Sequence, residues 1–121
     1  MLKEVREVRQ VPGEARRRIF FSDNLDLTVW FDNDDAILGF ELCYDKGKNE
    51  RAVRWKRLEG FLHQKVDDGE NRPGRFKSTP ILVPDGTFAA KKISRLFYDN
   101  SRDIDNAVAD FVYSTLLTYP E

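Results

Sequence analysis

The stretch RRRIFFSDNLDLTVWFDNDDAILGFELCYDKGKNERAVRWKRLEGFLHQKV, residues 16–66, decides the fold. It consists of short runs rich in aliphatic, aromatic and β-branched residues, each followed by a polar turn. The runs cover residues 16–21, 25–32, 36–45, 50–57 and 60–66. Runs of this length at this spacing are typical of an antiparallel β-meander, so we predict about five strands.

The turns also predict which side chains share a face, because a slip of one residue moves every side chain to the other face. Two-residue loops at Asn33-Asp34 and Leu58-Glu59, with a four-residue loop at 46–49, agree on a single apolar face. The apolar row that crosses four strands of that face contains Leu27, Phe40, Trp55 and Leu62. Agreement among independent turns favours this register.

The remaining segments complete an α+β domain over residues 1–121. Residues 1–12 read as an edge strand or arm, and residues 67–79 (DDGENRPGRFKST) as a long polar loop. The apolar spacing in residues 87–118 predicts two amphipathic helices, at about 87–98 and 103–118. We therefore expect both helices to pack on the apolar face of the meander, leaving the other face open.

Composition limits the classes of function and location. The 121 residues fit one domain, and the net charge of −1 gives no general attraction to nucleic acid or anionic membrane. The lone Cys43 favours a reducing compartment, and no stretch has the length and apolarity of a signal peptide or membrane span. We expect a cytoplasmic protein.

The open face carries a polar row in this register. Asp26, Glu41, Arg54 and His63 line up across it. Asp26 opposite Glu41 is a repulsive pair that Arg54 beside Glu41 relieves, and His63 falls next to Arg54. The row is either a solvated charge ladder or a shallow polar site. Trp30 lies on the same face, where a large aromatic side chain can anchor a protein interface.

The alternative function is that of a metal-dependent enzyme, which would need a metal site. His63, Asp67, Asp68 and Glu70 combine an imidazole with hard oxygen ligands, which suit Mn²⁺, Mg²⁺ or Zn²⁺. Their spacing matches no established ligand pattern, and acidic residues after a strand commonly form turns. A small metal-dependent hydrolase or nuclease centred there stays the alternative, and no cofactor is expected otherwise.

The 67–79 loop, together with His63, Tyr44 and Asp45, is expected to mark the functional end of the domain. By counting through the hairpins, Tyr44 and Asp45 end one strand at the same edge of the sheet where Asp67 ends another. A long loop in a short chain is commonly a binding element, although it can also be a simple connector. Its basic residues Arg72 and Arg75 join the candidate binding set.

Nucleic-acid binding is a second alternative. Arginine and lysine occur in local groups with interleaved aromatic residues, which superficially resembles an RNA-binding sheet. However, stacking on bases requires aromatic side chains on the open face, and the register assigns Trp55 to the core. Nucleic acid is therefore a less favoured partner than protein.

Three segments carry a resemblance: GFELCYDK (39–46), DDGENRPGR (67–75) and TPILVPDG (79–86). Over Phe31 to Gly86 the chain resembles a family of small bacterial proteins of unknown function. The resemblance implies a bacterial cytoplasmic origin and no particular catalytic chemistry.

The sequence thus favours a non-enzymatic binding or protein-interaction domain. Its contact elements are the open sheet face and the 67–79 loop, and its partner is another protein or a second copy, as in a dimer.

Overall fold

A computed structural model describes residues 1–47, 50–67, 81–84 and 88–120. In these residues a single antiparallel sheet has its strands side by side in chain order. The strands are β1 Lys3–Glu4, β2 Arg16–Phe21, β3 Asp26–Phe31, β4 Ile37–Tyr44, β5 Arg51–Lys56, β6 Gly60–Asp67 and β7 Ile81–Pro84. Two helices follow, α1 Ala90–Asn100 and α2 Asn106–Leu116. The predicted α+β meander is confirmed, with two short edge strands, β1 and β7, beyond the five predicted.

The core lies between one face of the sheet and the two helices, and we call this the helix face. Side chains at alternate positions of β2 to β5 are fully buried there, as alternation along a strand requires. The largest of them are Phe20, Leu27, Phe40, Leu42 and Val53. Phe97 of α1 and Val112 of α2 pack into the same cluster, so sheet and helices share one core.

The β3–β4 hairpin differs from the predicted two-residue loop. Leu27 lies opposite Leu42, and Val29 lies opposite Phe40, a shift of two residues from the predicted pairs. The loop is longer because the Asp32 carboxylate accepts hydrogen bonds from the backbone N–H groups of Asp34 and Ala36. A shift by an even number of residues leaves each side chain on its predicted face. The cross-strand partners therefore differ from the prediction, but the assignment of side chains to the two faces is correct.

The β4–β5 pairing is as predicted. Phe40 lies opposite Trp55, and their rings stack with centroids 5.8 Å apart. Trp55 also contacts Phe111 of α2 edge-on, at 5.4 Å. Phe40 and Trp55 are therefore neighbours on the helix face, as the predicted apolar row requires, with Phe40 fully buried and Trp55 half-buried.

The β5–β6 hairpin was predicted wrongly, and the side chains of β6 consequently lie on the faces opposite to those predicted. The turn contains three residues, 57–59, and is followed by Gly60 with a φ of 79°. Glycine tolerates this left-handed backbone, which commonly follows the turn in a three-residue hairpin loop. The register moves by one residue, so Leu62 lies opposite Arg54, while His63 lies opposite Val53 on the helix face.

Helix α1 is displaced toward the C-terminus, at 90–100 instead of about 87–98, whereas α2, at 106–116, lies inside its predicted bounds of about 103–118. Asp105 caps α2, because its carboxylate accepts hydrogen bonds from the N–H groups of Ala107 and Val108. Ala89 precedes α1 and makes no side-chain cap.

The N-terminal arm closes the β2 edge of the sheet in two ways. Backbone pairing ends with a hydrogen bond from the Val5 N–H to the Ile19 carbonyl at 2.8 Å. Two residues further along β2, the Gln10 side-chain amide accepts from the Arg17 N–H and donates to its carbonyl, both at 2.9 Å. Gln10 thus makes the two hydrogen bonds that a neighbouring strand would make, which protects an edge from unwanted pairing.

Candidate functional site: the outer face of the sheet

The face opposite the helices, which we call the outer face, presents a mixed surface. Its middle row crosses β2 to β6 and contains Ile19, Thr28, Glu41, Arg54 and Leu62. Both helices pack on the other face. In the described part of the chain, no helix therefore covers the outer face, as the sequence predicted.

Glu41 and Arg54 form the ion pair at the middle of the outer face. The guanidinium Nε and Nη2 donate to Glu41 Oε2 at 2.9 and 2.5 Å, and both side chains are partly buried. The predicted neighbourhood of Glu41 and Arg54 is confirmed. Charge-assisted hydrogen bonds of this kind fix both side chains, so the surface is ordered before any partner arrives.

Asp26 is not part of this pair, contrary to the predicted polar row. It lies opposite Cys43 rather than Glu41, because of the two-residue shift in the β3–β4 hairpin. The Lys46 ammonium donates to the Asp26 carboxylate at 3.0 Å and to the Ser22 carbonyl at 2.8 Å. The predicted repulsion between Asp26 and Glu41 is therefore absent, and each acid has its own cation.

Trp30 borders a cleft of about 500 Å³ at one end of the outer face, which we call the Trp30 cleft. Gly39, its cross-strand neighbour, lines the cleft, and no side chain fits at that position, since a Cβ there would lie 2.5 Å from the Trp55 carbonyl oxygen. The other lining residues are Glu14, Ala15, Leu38, Arg54, Lys56, Arg57, Leu58 and Glu59. The predicted position of Trp30 on the open face is confirmed.

Leu58 was missed in the sequence analysis, which treated it only as a turn residue. It is 94% exposed, the highest value among the large apolar side chains that the structure describes. Phe21 and Leu62, also on the outer face, are 48% and 44% exposed. A leucine at the tip of a hairpin of otherwise charged residues was the signal available in the sequence.

His63 lies on the helix face, so its predicted place beside Arg54 is wrong. It is only 5% exposed, and its Nε2 shares a hydrogen bond with the Tyr44 hydroxyl. The two rings are almost parallel, with centroids 5.9 Å apart, and Phe88 packs against both. Tyr44 and His63 therefore meet as a buried pair at this end of the sheet, whereas the predicted register placed His63 on the open face.

The remaining predicted site residues are only partly described. Asp45 follows Tyr44 with a φ of 54°, and its carboxylate lies 3.8 Å from the Arg51 guanidinium. Asp67 ends β6, as predicted. The other four candidates, Asp68, Glu70, Arg72 and Arg75, lie outside the described residues. Within the described ranges, no three histidine, cysteine, aspartate or glutamate side chains come together as metal ligands.

Cys43 lies on the outer face between Asp26 and Ala52. Burial raises the pKa of its thiol, and the carboxylates of Glu41 and Glu50 raise it further. A thiol with a raised pKa stays protonated at neutral pH and is a poor nucleophile.

Comparison with known proteins gives no family assignment: no family model, no curated protein and no solved structure matches this chain. In the described part of the chain, neither helix has the length and apolarity needed to span a bilayer.

Proposed function

We propose that this chain is a non-enzymatic protein-interaction domain whose contact surface is the outer face, centred on the Trp30 cleft. The observation that carries the proposal is the position of Leu58, which is 94% exposed at the rim of a cleft bordered by Trp30 and floored by Gly39. Tryptophan and arginine dominate binding energy at protein interfaces, and the cleft contains both.

Energetics support a protein partner. Burying one exposed leucine or phenylalanine side chain contributes roughly 1.5–3 kcal/mol, and Phe21, Leu58 and Leu62 are available for it on this face. Glu41 and Arg54 are already paired, so a partner need not order them. An interface with aromatic and aliphatic anchors around an ordered ion pair resembles a typical protein–protein contact.

Catalysis has less support in the described geometry. Cys43 and His63 lie on opposite faces of the sheet, so they form no thiol–imidazole pair. His63 is engaged with Tyr44 in the core. The metal-dependent hydrolase or nuclease needs Asp68 and Glu70, which are not described, and it stays an alternative prediction.

The proposal retains two expectations from the sequence. The 67–79 loop, which lies outside the described residues beyond Asp67, stays a second proposed contact element. The resemblance to bacterial proteins supports a cytoplasmic setting.

A site-specific photo-crosslink tests the proposal. A benzophenone amino acid replaces Leu62 on the outer face, and the matched control carries it at Leu117, which is 49% exposed at the end of α2. We expect a discrete cross-linked species from position 62 in cells, lost when Trp30→Ala is added, and none from position 117. Equal labelling from the two positions would overturn the proposal.

A further inference from the structure

We infer that the partner of the outer face is a second copy of this chain, bound face to face about a two-fold axis that runs parallel to the strands between β4 and β5. The inference rests on the proposed function and names its partner. Stacked sheets pack about 10 Å apart with their strands within about 30° of each other, which this arrangement satisfies.

The charges at the centre of the outer face select the axis. Glu41 on β4 and Arg54 on β5 are direct neighbours of opposite sign. A two-fold axis between these strands places Glu41 of one copy over Arg54 of the second copy, and the reverse. Four charges then alternate in sign, whereas an axis over β4 itself would stack Glu41 on its own equivalent.

The same axis brings the two apolar elements of each copy together. β3 and β6 lie one strand beyond the central pair on either side, so Trp30 faces Gly60 of the second copy, which has no side chain. Leu58 follows β5 at the same end of the sheet, so Leu58 of the second copy lies over the Trp30 cleft. Each copy thus supplies one exposed leucine and one cleft that receives it.

Small residues allow the two faces to approach each other. Gly39, Cys43 and Ala52 occupy outer-face positions of β4 and β5 next to the axis. Gly39 and Ala52 are already buried within one chain, Ala52 at 1% exposure, so they make no direct contact with the second copy. Their small size leaves low ground beside the axis, over which the longer Lys56 side chain of the second copy lies in this arrangement.

Paired charges favour a second copy over a strongly charged partner. Arg54 and Lys46 on this face are neutralised by Glu41 and Asp26 within the same chain. These internal pairs add little attraction for an acidic peptide or for nucleic acid, because opposite charges cancel at a distance. Two copies of this face are nevertheless complementary, because Glu41 of each copy then lies over Arg54 of the other.

Sedimentation equilibrium of the full chain tests the inference. We expect wild type to reach twice the chain mass as concentration rises to about 0.5 mM, the range of weak association. Leu58→Asp should raise the dissociation constant about 100-fold or more, because two buried leucines are lost for each dimer. Leu117→Asp, on the other side of the molecule, should leave the constant unchanged. Equal effects of the two variants would overturn the inference.

A charge-swap mixture tests the axis itself. Glu41→Arg alone and Arg54→Glu alone each place like charges across the interface, so each variant should stay monomeric. Mixed together, they present complementary faces, and association should return to within about 10-fold of wild type. Circular dichroism confirms that each variant is folded, and monomeric mixtures of folded variants would contradict the arrangement.

The outcomes separate the two proposals. If wild type stays monomeric and the position-62 cross-link contains a different protein, the second copy is excluded as partner and the interaction surface stands. If wild type stays monomeric and no cross-link forms, both proposals are wrong.

Discussion

Tyr44 and His63 are hydrogen-bonded to each other on the helix face of the sheet, although the two residues belong to strands separated by β5. Both side chains are almost completely buried, and Phe88 packs against the two rings. The pair ties the end of β4 to β6 beneath the residues that lead into α1. This position gives the only histidine of the chain a structural role.

Tyr44→Phe is expected to destabilise the protein by about 1–3 kcal/mol, since it removes the hydroxyl that the buried His63 nitrogen engages. The measurement is the free energy of unfolding from urea titration. Tyr98→Phe is the matched control, because Tyr98 is 50% exposed and should change stability little. Equal midpoints for Tyr44→Phe and wild type would show that the hydrogen bond contributes nothing.

Phe40→Ala is expected to cost about 3–5 kcal/mol, through lost burial and the cavity left against Trp55. Phe21→Ala, at a position 48% exposed on the outer face, should cost much less. Thermal or chemical unfolding of the two variants measures the difference. Similar losses for both would contradict the assignment of the two faces.

Ser94→Ala is expected to stabilise the protein by about 0.5–2 kcal/mol. The Ser94 hydroxyl is completely buried on α1 and has no hydrogen-bond partner among the described residues, while alanine fits the same space and favours a helix. Ser114→Ala, at an exposed position of α2, controls for helix propensity alone. A melting temperature lowered by Ser94→Ala would show that the hydroxyl has a partner in solution.

Acid should weaken the contact between the N-terminal strand and α2. The Arg18 guanidinium donates to Glu4 at 2.7 Å and to Asp105 at 3.2 Å. Hydrogen bonding from Arg18 lowers the pKa of Glu4, while the Ala107 N–H and then Arg18 lower the pKa of Asp105. A carboxylate with a lowered pKa stabilises the fold above its ordinary pKa, and that contribution is lost as pH falls through the folded value.

The stability of wild type should therefore fall as pH drops below the ordinary pKa values of 4.5 for Glu4 and 3.8 for Asp105. Arg18→Met should make this fall shallower, because both carboxylates lose their cation. Arg95→Met removes the exposed pair with Asp99 and is the control. The test is urea unfolding at a series of pH values, and parallel curves for Arg18→Met and wild type would rule out the network as a contributor.

Gln10→Ala should expose the edge of β2. The Arg17 amide donates to the Gln10 side chain at 2.9 Å, so its hydrogen exchange is expected to quicken at least about 10-fold in the variant. Amides of the central strand β4 provide the internal reference. Unchanged exchange at Arg17 would mean that Gln10 does not cap the edge in solution.

The sequence predicts the sheet well because alternation is a local signal. Phe40 and Trp55, and likewise Glu41 and Arg54, pair as predicted. The connection covers residues 45–50 instead of 46–49, and one extra residue on each side leaves the pairing unchanged. The β3–β4 loop is longer than its sequence suggested, since Asp32 binds two backbone N–H groups. That error was harmless because the shift is even.

The β5–β6 turn limits what could be predicted of the site. Gly60 takes a left-handed backbone that adds one residue to the turn, and this single residue moves His63 from the outer face into the core. It also brings Leu62 to the outer face. Whether a turn before glycine has two or three residues depends on backbone twist, which hydrophobic alternation does not encode.

The central claim is that the outer face is covered by protein in the cell, and hydroxyl-radical footprinting of Leu58 measures this directly. In dilute purified protein the 94% exposed side chain should be oxidised readily. In intact cells we expect the oxidation of Leu58 to fall several-fold relative to dilute solution, because a partner covers it. The oxidation of Leu117, which is outside the proposed interface, should be the same in both conditions. Equal oxidation of Leu58 in cells and in dilute solution, relative to Leu117, would contradict the account.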